Sequence, residues 1–504
     1  MHQNSNEKYP EFWIEVKLGS IASSEKGKKP KNLFNTKKEG LIPYIDIKAF
    51  EEEVFRRYTD GEDCRICQEG DLLIVWDGSR SGLVGRAYKG AIGSTIARIN
   101  LPVVNKDFVY HYLNSKFQQI NTRAKGTGTP HVDPNLLWNY SFPIAPLPEQ
   151  HEIVRRIEAM FSELDHAIEN LKKAREQLKT YRQAVLKHAF EGKLTQKWRE
   201  QQTDLEPAEK LLEKIKAERQ RHYEKQLKEW EEAVKKWEAD GKPGKKPKKP
   251  SKSSKLLPLS DNEISNLPEL PDKWKWSYFE FIGTWKGGGT PSKQIREYWD
   301  KGNIMWVSPK DMKSQYISDT IFKITENAIS DSSANIIPEY SLLFVVRSGI
   351  LRRILPVSIN KLSCAVNQDL QALTPYLVLP EFIYWYSVVN EYNIRYTCAK
   401  DGTTVESIRS ESLKRYPIPL CPLKEQKQII QEIEKRLSVA DNLDKSIDDS
   451  LSKAEALRQS ILKQAFEGRL TEDWRRQHPE LISGENSAEL LLEKIKEERE
   501  KVQS

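Results

Sequence analysis

The chain has 504 residues, of which 38% are hydrophobic and 9% aromatic, a size and composition that predict two to four globular domains. No apolar run reaches the roughly 18 residues of a membrane span, and the N-terminus lacks the residue order of a signal peptide, so we expect a cytoplasmic protein without a membrane partner. Five cysteines argue against a disulfide framework. The net charge of +7 is matched by seven lysines within residues 241–260, so a DNA-binding surface would require local clustering of Lys and Arg.

Residues 10–146 form the first predicted globular unit. Short apolar runs at residues 42–47 and 71–76 lie between Gly-rich turns, which is typical of a mixed α/β domain. The unit also contains a CxxC motif at Cys64 and Cys67. A structural zinc site needs four ligands, and no second CxxC or nearby histidine pair completes it, which favours coincidence over metal binding.

A long helix is predicted next, from about Pro148 to a stop at Gly192. At 1.5 Å per residue it would be a rod of roughly 60 Å. Its apolar residues follow the alternating three-four spacing of a coiled-coil seam, interrupted by Arg175 and Arg182. The seam consists of Val154, Ile157, Phe161, Leu164, Ile168, Leu171, Leu178 and Val185.

This helix belongs to an internal duplication. Residues 147–201 recur as residues 423–477 without a gap, and the two copies are identical at 21 of 55 positions, including Glu149 and Glu425. Since neither helix can bury its apolar stripe alone, we expect the two to pack on each other. The alternative is that each helix covers its own neighbouring domain.

A charged helix and a linker follow the first copy. The helix is predicted from Pro207 towards Ala239. Residues 241–255 combine Lys, Pro, Gly and Ser without any apolar residue, which predicts a flexible linker. Its lysines are either simply solvated or in contact with DNA phosphates.

The second globular unit, from about Pro271 to Pro422, repeats the pattern of the first unit but not its sequence. Apolar runs at residues 304–310 and 341–346 correspond to those at 42–47 and 71–76. The two units therefore share a predicted architecture while differing in the side chains that their loops present.

A search for catalytic motifs finds none that is convincing. The chain has no dinucleotide-binding fingerprint, no phosphate-binding loop, no adenine pocket of the Asn-Pro-Pro-Tyr type and no HExxH. Asp272, followed by residues 311–313, imitates the metal-site pattern of some nucleases. So short a pattern arises easily by chance where 30% of the residues are charged.

Both globular units instead carry Lys and Arg in polar, Gly-rich loops. These side chains can reach guanine O6 and N7 or hold phosphates, and glycines let backbone amides approach a duplex. A solvated surface charge explains any single one equally well, but the clusters together indicate DNA binding. The candidate DNA-binding residues are Lys28, Lys29, Lys31, Arg80 and Arg86 in the first unit, and Lys286, Thr290, Ser292, Lys293, Arg347, Arg352 and Arg353 in the second.

Several motifs of the chain resemble those of the DNA-specificity subunits of type I restriction-modification systems. The similarity covers nearly the whole chain apart from the lysine-rich linker and the charged helices beside it. It depends on the paired Pro-Leu-Pro-Glu-Gln and Pro-Leu-Lys-Glu-Gln of residues 146–150 and 422–426, the paired Ala-Phe-Glu-Gly-[Lys/Arg]-Leu-Thr of 189–195 and 465–471, Gly-Thr-Pro-Ser at 289–292 and Asn-Gln-Asp-Leu at 367–370. One departure is that residues 126–130 are only loosely echoed by residues 402–406.

The resemblance implies an α+β protein in which two mixed α/β target-recognition domains are separated by two long conserved helices. The helices would form an antiparallel coiled coil about a pseudo-two-fold axis, and each domain would read half of a bipartite site in double-stranded DNA. It implies no catalytic centre, metal or cofactor in this chain. Its partners would be two modification subunits that use S-adenosylmethionine, and restriction subunits that use ATP and Mg²⁺.

Two competing interpretations remain at the level of sequence. One is a coiled-coil scaffold whose globular units bind other proteins without DNA specificity, and the other is a self-contained nuclease. The predicted segments are recognition domain 1 at 1–146, the first long helix at 147–201, a charged helix at 202–240, the linker at 241–260, recognition domain 2 at 261–422, the second long helix at 423–477 and a C-terminal charged helix at 478–504.

Overall fold

The computed structural model describes residues 9–125, 129–242, 246–250, 258–400 and 406–503. The chain divides into two compact units, Met1–Ala174 with Ser446–Ser504, and Arg175–Lys445. Each unit contains one globular domain and parts of both long helices. Within the described ranges, no helix combines the length and apolarity that crossing a membrane requires.

The first domain is built from short strands and one helix of 17 residues, α3. A two-stranded sheet pairs β1 with β10, and two four-stranded sheets have the orders β2-β9-β6-β7 and β4-β3-β8-β5. The elements up to the linker are β1 (Ile14–Lys17), α1 (Leu18–Ile21), β2 (Ser23–Lys26), β3 (Ile42–Ile45), α2 (Ile47–Glu52), β4 (Tyr58–Thr59), β5 (Ile66–Cys67), β6 (Leu72–Val75), β7 (Val84–Arg86), β8 (Gly90–Ile92), β9 (Ile96–Asn100), α3 (Lys106–Thr122), α4 (Pro134–Trp138), β10 (Ser141–Ile144), α5 (Leu147–Phe190), α6 (Gln196–Glu200) and α7 (Ala208–Ala239).

The second domain repeats this topology. Its sheets have the orders β11-β21, β12-β20-β17-β18-β14 and β15-β13-β19-β16, so that only β14 extends the earlier pattern. The elements are α8 (Asp261–Ser265), β11 (Lys275–Tyr278), β12 (Gly283–Gly287), β13 (Ile304–Val307), β14 (Tyr316–Ile317), β15 (Phe322–Ile324), α9 (Glu326–Asp331), β16 (Ile336–Ile337), β17 (Leu342–Val345), β18 (Val357–Asn360), β19 (Cys364–Val366), β20 (Leu370–Pro375), α10 (Pro380–Val389), α11 (Glu391–Thr397), α12 (Ser410–Lys414), β21 (Pro417–Leu420), α13 (Leu423–Phe466), α14 (Glu472–Gln477) and α15 (Ala488–Gln503).

The two long helices, α5 and α13, each contain 44 residues. Each is followed by a glycine in the left-handed region, Gly192 at φ +70° and Gly468 at φ +74°, where other residues are strained. Space requires glycine as well, since a Cβ at Gly192 would lie 2.4 Å from Cγ of Pro271 and one at Gly468 would lie 2.3 Å from Cγ of Pro10. The helix stops predicted from the sequence are confirmed.

The arginines that interrupt the apolar seam have acidic partners. In the second unit, Arg175 Nε lies 3.1 Å from Asp444 Oδ1, and Arg182 Nη2 lies 2.7 Å from Asp441 Oδ1. From the first pair to the second, the residue number rises along α5 and falls along α13, so the two helices are antiparallel there. In the first unit the duplicated counterparts, Arg458 and Asp165, also form an ion pair.

A buried glutamate ties each domain to the end of a long helix. In the second unit, Glu425 is fully buried and accepts hydrogen bonds from Trp274 Nε1 at 2.9 Å, Thr195 Oγ1 at 2.7 Å and Arg199 Nε at 2.9 Å. Thr195 and Arg199 follow the C-terminus of α5, whereas Glu425 begins α13. The carboxylate therefore joins the two long helices and the domain at one point.

The first unit contains the same arrangement with the roles of the two long helices exchanged. Glu149 is fully buried and accepts from Trp13 Nε1 at 2.8 Å and Thr471 Oγ1 at 2.6 Å, and it pairs with Arg475. Because all four residue types match those around Glu425, the duplication preserves the entire tie. This explains why both glutamates are among the positions that the two copies share.

The neighbouring glutamine of each copy is fixed equally firmly. Gln150 Nε2 donates to the carbonyl of Ala145 at 2.8 Å, and Gln426 Nε2 donates to that of Cys421 at 3.0 Å. Each also accepts a backbone N–H from its own domain, at 3.2 Å for Gln150 and 3.1 Å for Gln426. The repeated Glu-Gln pair thus satisfies buried polar groups where a long helix begins.

Of the stretch predicted as a flexible linker, residues 243–245 and 251–257 lie outside the described residues, and residues 246–250 lie along α7. Trp230 Nε1 donates to the carbonyl of Pro247 at 2.9 Å. Lys249 lies 5.3 Å from the centre of the Trp230 ring, and Lys246 lies 6.0 Å from that of Trp237. These contacts cover two tryptophans that the isolated helix would leave in water.

Candidate nucleic-acid interface

In both domains, the loop after the first strand of the large sheet crosses the end of a strand in the other sheet. A Cβ at Gly288, after β12, would lie 2.0 Å from the carbonyl oxygen of Val366 in β19, and one at Gly27, after β2, would lie 2.4 Å from that of Ile92 in β8. The close approach requires glycine and fixes the path of the residues that follow. These include the predicted candidates Lys28, Lys29 and Thr290.

Three segments of the second domain meet where this loop crosses β19, and we call this surface, with its counterpart in the first domain, the polar edge. Arg347, the second residue after β17, has its Nε 2.7 Å from Oδ1 of Asp369, in the turn after β19. The Thr290 hydroxyl, in the loop after β12, donates to Oε1 of Gln368 in the same turn. The structure therefore brings two predicted residues, Arg347 and Thr290, together around a turn that joins β19 to β20.

A polar groove of about 610 Å³ opens beside this cluster. Arg352 pairs with Glu406, whose carbonyl accepts the backbone N–H of Ser348 at 3.0 Å, so the segment after β17 forms part of the same surface. The groove is lined by Val346, Arg347, Gln368, Gln371, Lys400, Ser407, Ile408, Arg409, Ser410, Glu411 and Ser412.

The remaining candidates of the second domain are less well defined. Lys286 is exposed, and its Nζ lies 3.5 Å from the carbonyl of Ile336. Lys293 and Arg353 are exposed and form no ion pair with any described residue. The exposed Ser292 contributes its backbone carbonyl to Trp299 Nε1 at 3.1 Å. Their geometry is compatible with phosphate contact but does not single them out.

In the first domain, the basic loop lies against carboxylates. Lys26 Nζ is 2.6 Å from Oδ2 of Asp77, the second residue after β6, and Lys28 pairs with Asp63. The predicted Lys31 lies 3.7 Å from Glu62 Oε1, and Lys29 is exposed with no carboxylate partner in the described ranges. Exposed ion pairs of this kind contribute about 0–1 kcal/mol, so phosphates could replace the carboxylates at small cost.

Arg80 and Arg86 contact other carboxylates than those that the lysine loop contacts. Arg86 Nε is 2.7 Å from Asp107 of α3, and its Nη2 is 2.7 Å from Glu158 of α5. Arg80 Nε is 2.5 Å from Glu51 of α2. Both line a cleft of about 820 Å³, but the two ion pairs of Arg86 indicate a role in holding the domain on the long helix.

Neither metal hypothesis gains support from the geometry. Burial raises the pKa of Cys67 to about 11, which disfavours the thiolate that binds metals. Asp311, from the nuclease-like pattern, accepts the backbone N–H groups of Ser308 at 2.9 Å and Ile321 at 3.0 Å, so its carboxylate organises a turn. Among the described residues, no three His, Cys, Asp or Glu side chains form a group that could hold a metal ion.

Sequence reasoning missed several residues of the polar edge. The sequence shows Gln368 only as part of a family motif, and it does not mark Gln371, Lys400 or Arg409. In the first domain, Lys125 donates to Asp133 at 2.8 Å and lowers the pKa of that carboxyl. No spacing pattern marks these positions, because they come together only through strand pairing.

Comparison with known proteins identifies the family. The model described as "Type I restriction modification DNA specificity domain" matches twice, at residues 10–179 and 271–451. The EcoDI specificity subunit of Escherichia coli is 23% identical over 495 residues, which are 98% of this chain and 96% of that protein. The EcoKI specificity subunit of E. coli strain K12 is 24% identical over 518 residues, again 98% and 96%.

A solved structure supports the same fold. The HsdS subunit of Thermoanaerobacter tengcongensis aligns with a TM-score of 0.52 at 16% identity, covering 93% of this chain and all of that one. Two matches to a DNA specificity domain favour DNA recognition over the interpretation as a protein-binding scaffold. The chain belongs to the family of DNA specificity subunits of type I restriction-modification systems.

Proposed function

We propose that each domain reads one half of a bipartite sequence in double-stranded DNA. The observation that carries this proposal is the combination of equal topology with unequal loops. Asp77 and Arg347 occupy equivalent positions, two residues after β6 and β17, yet their charges are opposite. Two readers of one architecture with different contact residues suit a site whose halves differ in sequence.

The basic loops would position the domains on the phosphate backbone. Lys28, Lys29 and Lys31 in the first domain, and Lys286, Lys293 and Arg353 in the second, are exposed and flank the polar edges. Contacts of this type contribute affinity that falls steeply with salt but carry little sequence information. Arg347, in contrast, is the second residue after β17, and Arg352 ends the short 3-10 helix Gly349–Arg352 that follows it. Positions next to such regular structure suit base reading.

The chain would direct chemistry that other subunits perform. We infer that it binds two modification subunits, which methylate adenine with S-adenosylmethionine, and restriction subunits, which use ATP and Mg²⁺. The chain itself would bind none of these cofactors and would act in the cytoplasm. The surface left for such partners includes the long helices, whose exposed faces carry many charged side chains.

Methylome sequencing tests the proposal. A host that expresses the chain with its modification subunit should acquire adenine methylation at a single bipartite motif. Replacing residues 261–422 by the matching segment of another family member should change one half of that motif and leave the other intact. Methyl transfer by the purified chain alone, or a motif in which both halves change together, would refute the proposal.

A further inference from the structure

The two domains can be aligned residue by residue at the polar edge through their hydrogen bonds. Trp76 N donates to Thr95 O at 2.8 Å in the first domain, and Val346 N donates to Asp369 O at 2.8 Å in the second. The residue after each donor is Asp77 or Arg347, and the residue before each acceptor is Ser94 or Gln368. Ser94 and Gln368 are both exposed, so the same surface position carries a short hydroxyl in one domain and a long amide in the other.

Gln368 is positioned by its neighbours for recognition. The Thr290 hydroxyl donates to its Oε1, which retains a second lone pair. Within the described part of the chain, Nε2 of Gln368 has no hydrogen-bond partner. The amide therefore offers one acceptor and one donor together, which is the pair that matches N6 and N7 of adenine in the major groove.

The turn that carries Gln368 is rigid. Asn367 is buried, its backbone N–H donates to Val307 O at 2.9 Å, and its Oδ1 accepts the backbone N–H of Asp369 at 3.0 Å. Its Nδ2 donates to Asp369 Oδ2 at 3.1 Å. A side chain on such a turn loses little conformational freedom when it binds, which favours discrimination between ligands.

Arg347 shares this support. Its Nε is 2.7 Å from Oδ1 of Asp369, which orients the guanidinium plane. Among the described residues, its two terminal nitrogens have no acceptor. A guanidinium held in this way presents the donor pair that fits O6 and N7 of guanine.

We propose that Gln368 and Arg347 are the base-reading pair of the second domain, Gln368 for an adenine and Arg347 for a guanine. The proposal rests on the proposed function, since it names the contacts by which one half-site is read. The first domain has Ser94 and Asp77 at the same positions and reads its half-site through other contacts.

The first test uses the methylome of the unaltered complex together with that of the variant in which residues 261–422 are replaced. The half-site read by the second domain must contain at least one A·T pair and at least one G·C pair, because the adenine and the guanine can lie on either strand. That half-site is identified by replacing residues 261–422. A half-site built only from A·T pairs, or only from G·C pairs, overturns the assignment while leaving the proposed function intact.

The second test uses Gln368→Ala and Arg347→Ala in the full chain, expressed with the modification subunit. Each should reduce discrimination at one base pair of the second half-site by roughly 5- to 150-fold, and the first half-site should stay unchanged. Gln371→Ala is the matched control, because Gln371 lines the same groove with the same amide. It should preserve the base preference assigned to Gln368.

The outcomes distinguish a wrong base assignment from a wrong proposed function. If the wild-type motif is bipartite but Gln368→Ala retains it at full methylation, the base-reading assignment is wrong and the proposed function stands. Transfer of the relaxed position to Gln371→Ala has the same meaning. If the wild-type complex produces no bipartite motif, the proposed function itself fails.

Discussion

The buried tie at Glu425 makes a quantitative prediction about stability. Glu425→Ala removes a carboxylate that accepts hydrogen bonds from Trp274, Thr195 and Arg199, and it leaves a guanidinium whose side chain is 17% exposed without its partner. Breaking a buried ion pair in this way costs about 3–5 kcal/mol. If local opening governs exchange, the amide hydrogens around the tie should exchange roughly 10²- to 10⁴-fold faster.

Hydrogen-exchange mass spectrometry of the full chain measures this effect, and Glu149 supplies the matched variant. Glu425→Ala should accelerate exchange in peptides that contain residues 193–199 and 271–278. Glu149→Ala should act on peptides that contain residues 469–475 and 10–17. The surface pair of Glu206 and Lys214, whose side chains are 47% and 55% exposed, should respond weakly to Glu206→Ala. Equal exchange in Glu425→Ala and Glu206→Ala would refute the reasoning.

Three further outcomes follow from the same structure. Burial lowers the pKa of His111 to about 4, although Glu158 opposes the shift. Between pH 6.5 and 4 the unfolded chain therefore binds more protons than the folded chain, and the free energy of unfolding falls as the pH falls. His111→Leu should flatten this part of a profile of stability against pH. Inserting four residues between Leu171 and Leu178 adds about 6 Å of helix while nearly restoring the phase of the apolar stripe. In a methylation map, the spacer of unspecified bases between the two half-sites should therefore lengthen by about one or two base pairs. An unchanged spacer with full activity would show that the helices do not set the distance between the half-sites. Trp230→Ala removes the hydrogen-bond donor to Pro247 and the ring beside Lys249, so limited proteolysis within residues 246–250 should be faster than in the wild type. Equal cleavage rates in the two proteins would show that the tryptophan does not hold this segment.

The sequence predicted the scaffold well because its signals are local and repeated. A helix of 44 residues leaves a long periodic pattern, and its glycine stop marks the end unambiguously. The repeat also pointed to Glu149 and Glu425, although it gave no reason for them. That reason depends on Trp13 and Trp274, which lie far from the glutamates in sequence and meet them only after folding.

The candidate interface was predicted less completely, for a physical reason. Basic residues in Gly-rich loops could be selected by type, and Arg347 and Thr290 do lie together at one edge. Arg86 has the same residue type and a similar loop, yet it pairs with Asp107 and Glu158. Residue type does not reveal direction, because the side of a strand on which a loop emerges depends on pairing with distant strands.

The pattern of identity between the two halves is itself a functional argument. Glu149 and Glu425 are identical because each satisfies the same three buried donor groups, and a change at either would leave charges without partners. Asp77 and Arg347 occupy equivalent backbone positions at an exposed edge, where exchange of a side chain disturbs no core packing. A duplicated protein built in this way can acquire a new half-site by altering its loops, while the buried ties keep the helices and domains in register. Changing Gln368 should therefore impair recognition without affecting folding, whereas changing Glu425 should destabilise the junction between the second domain and the long helices.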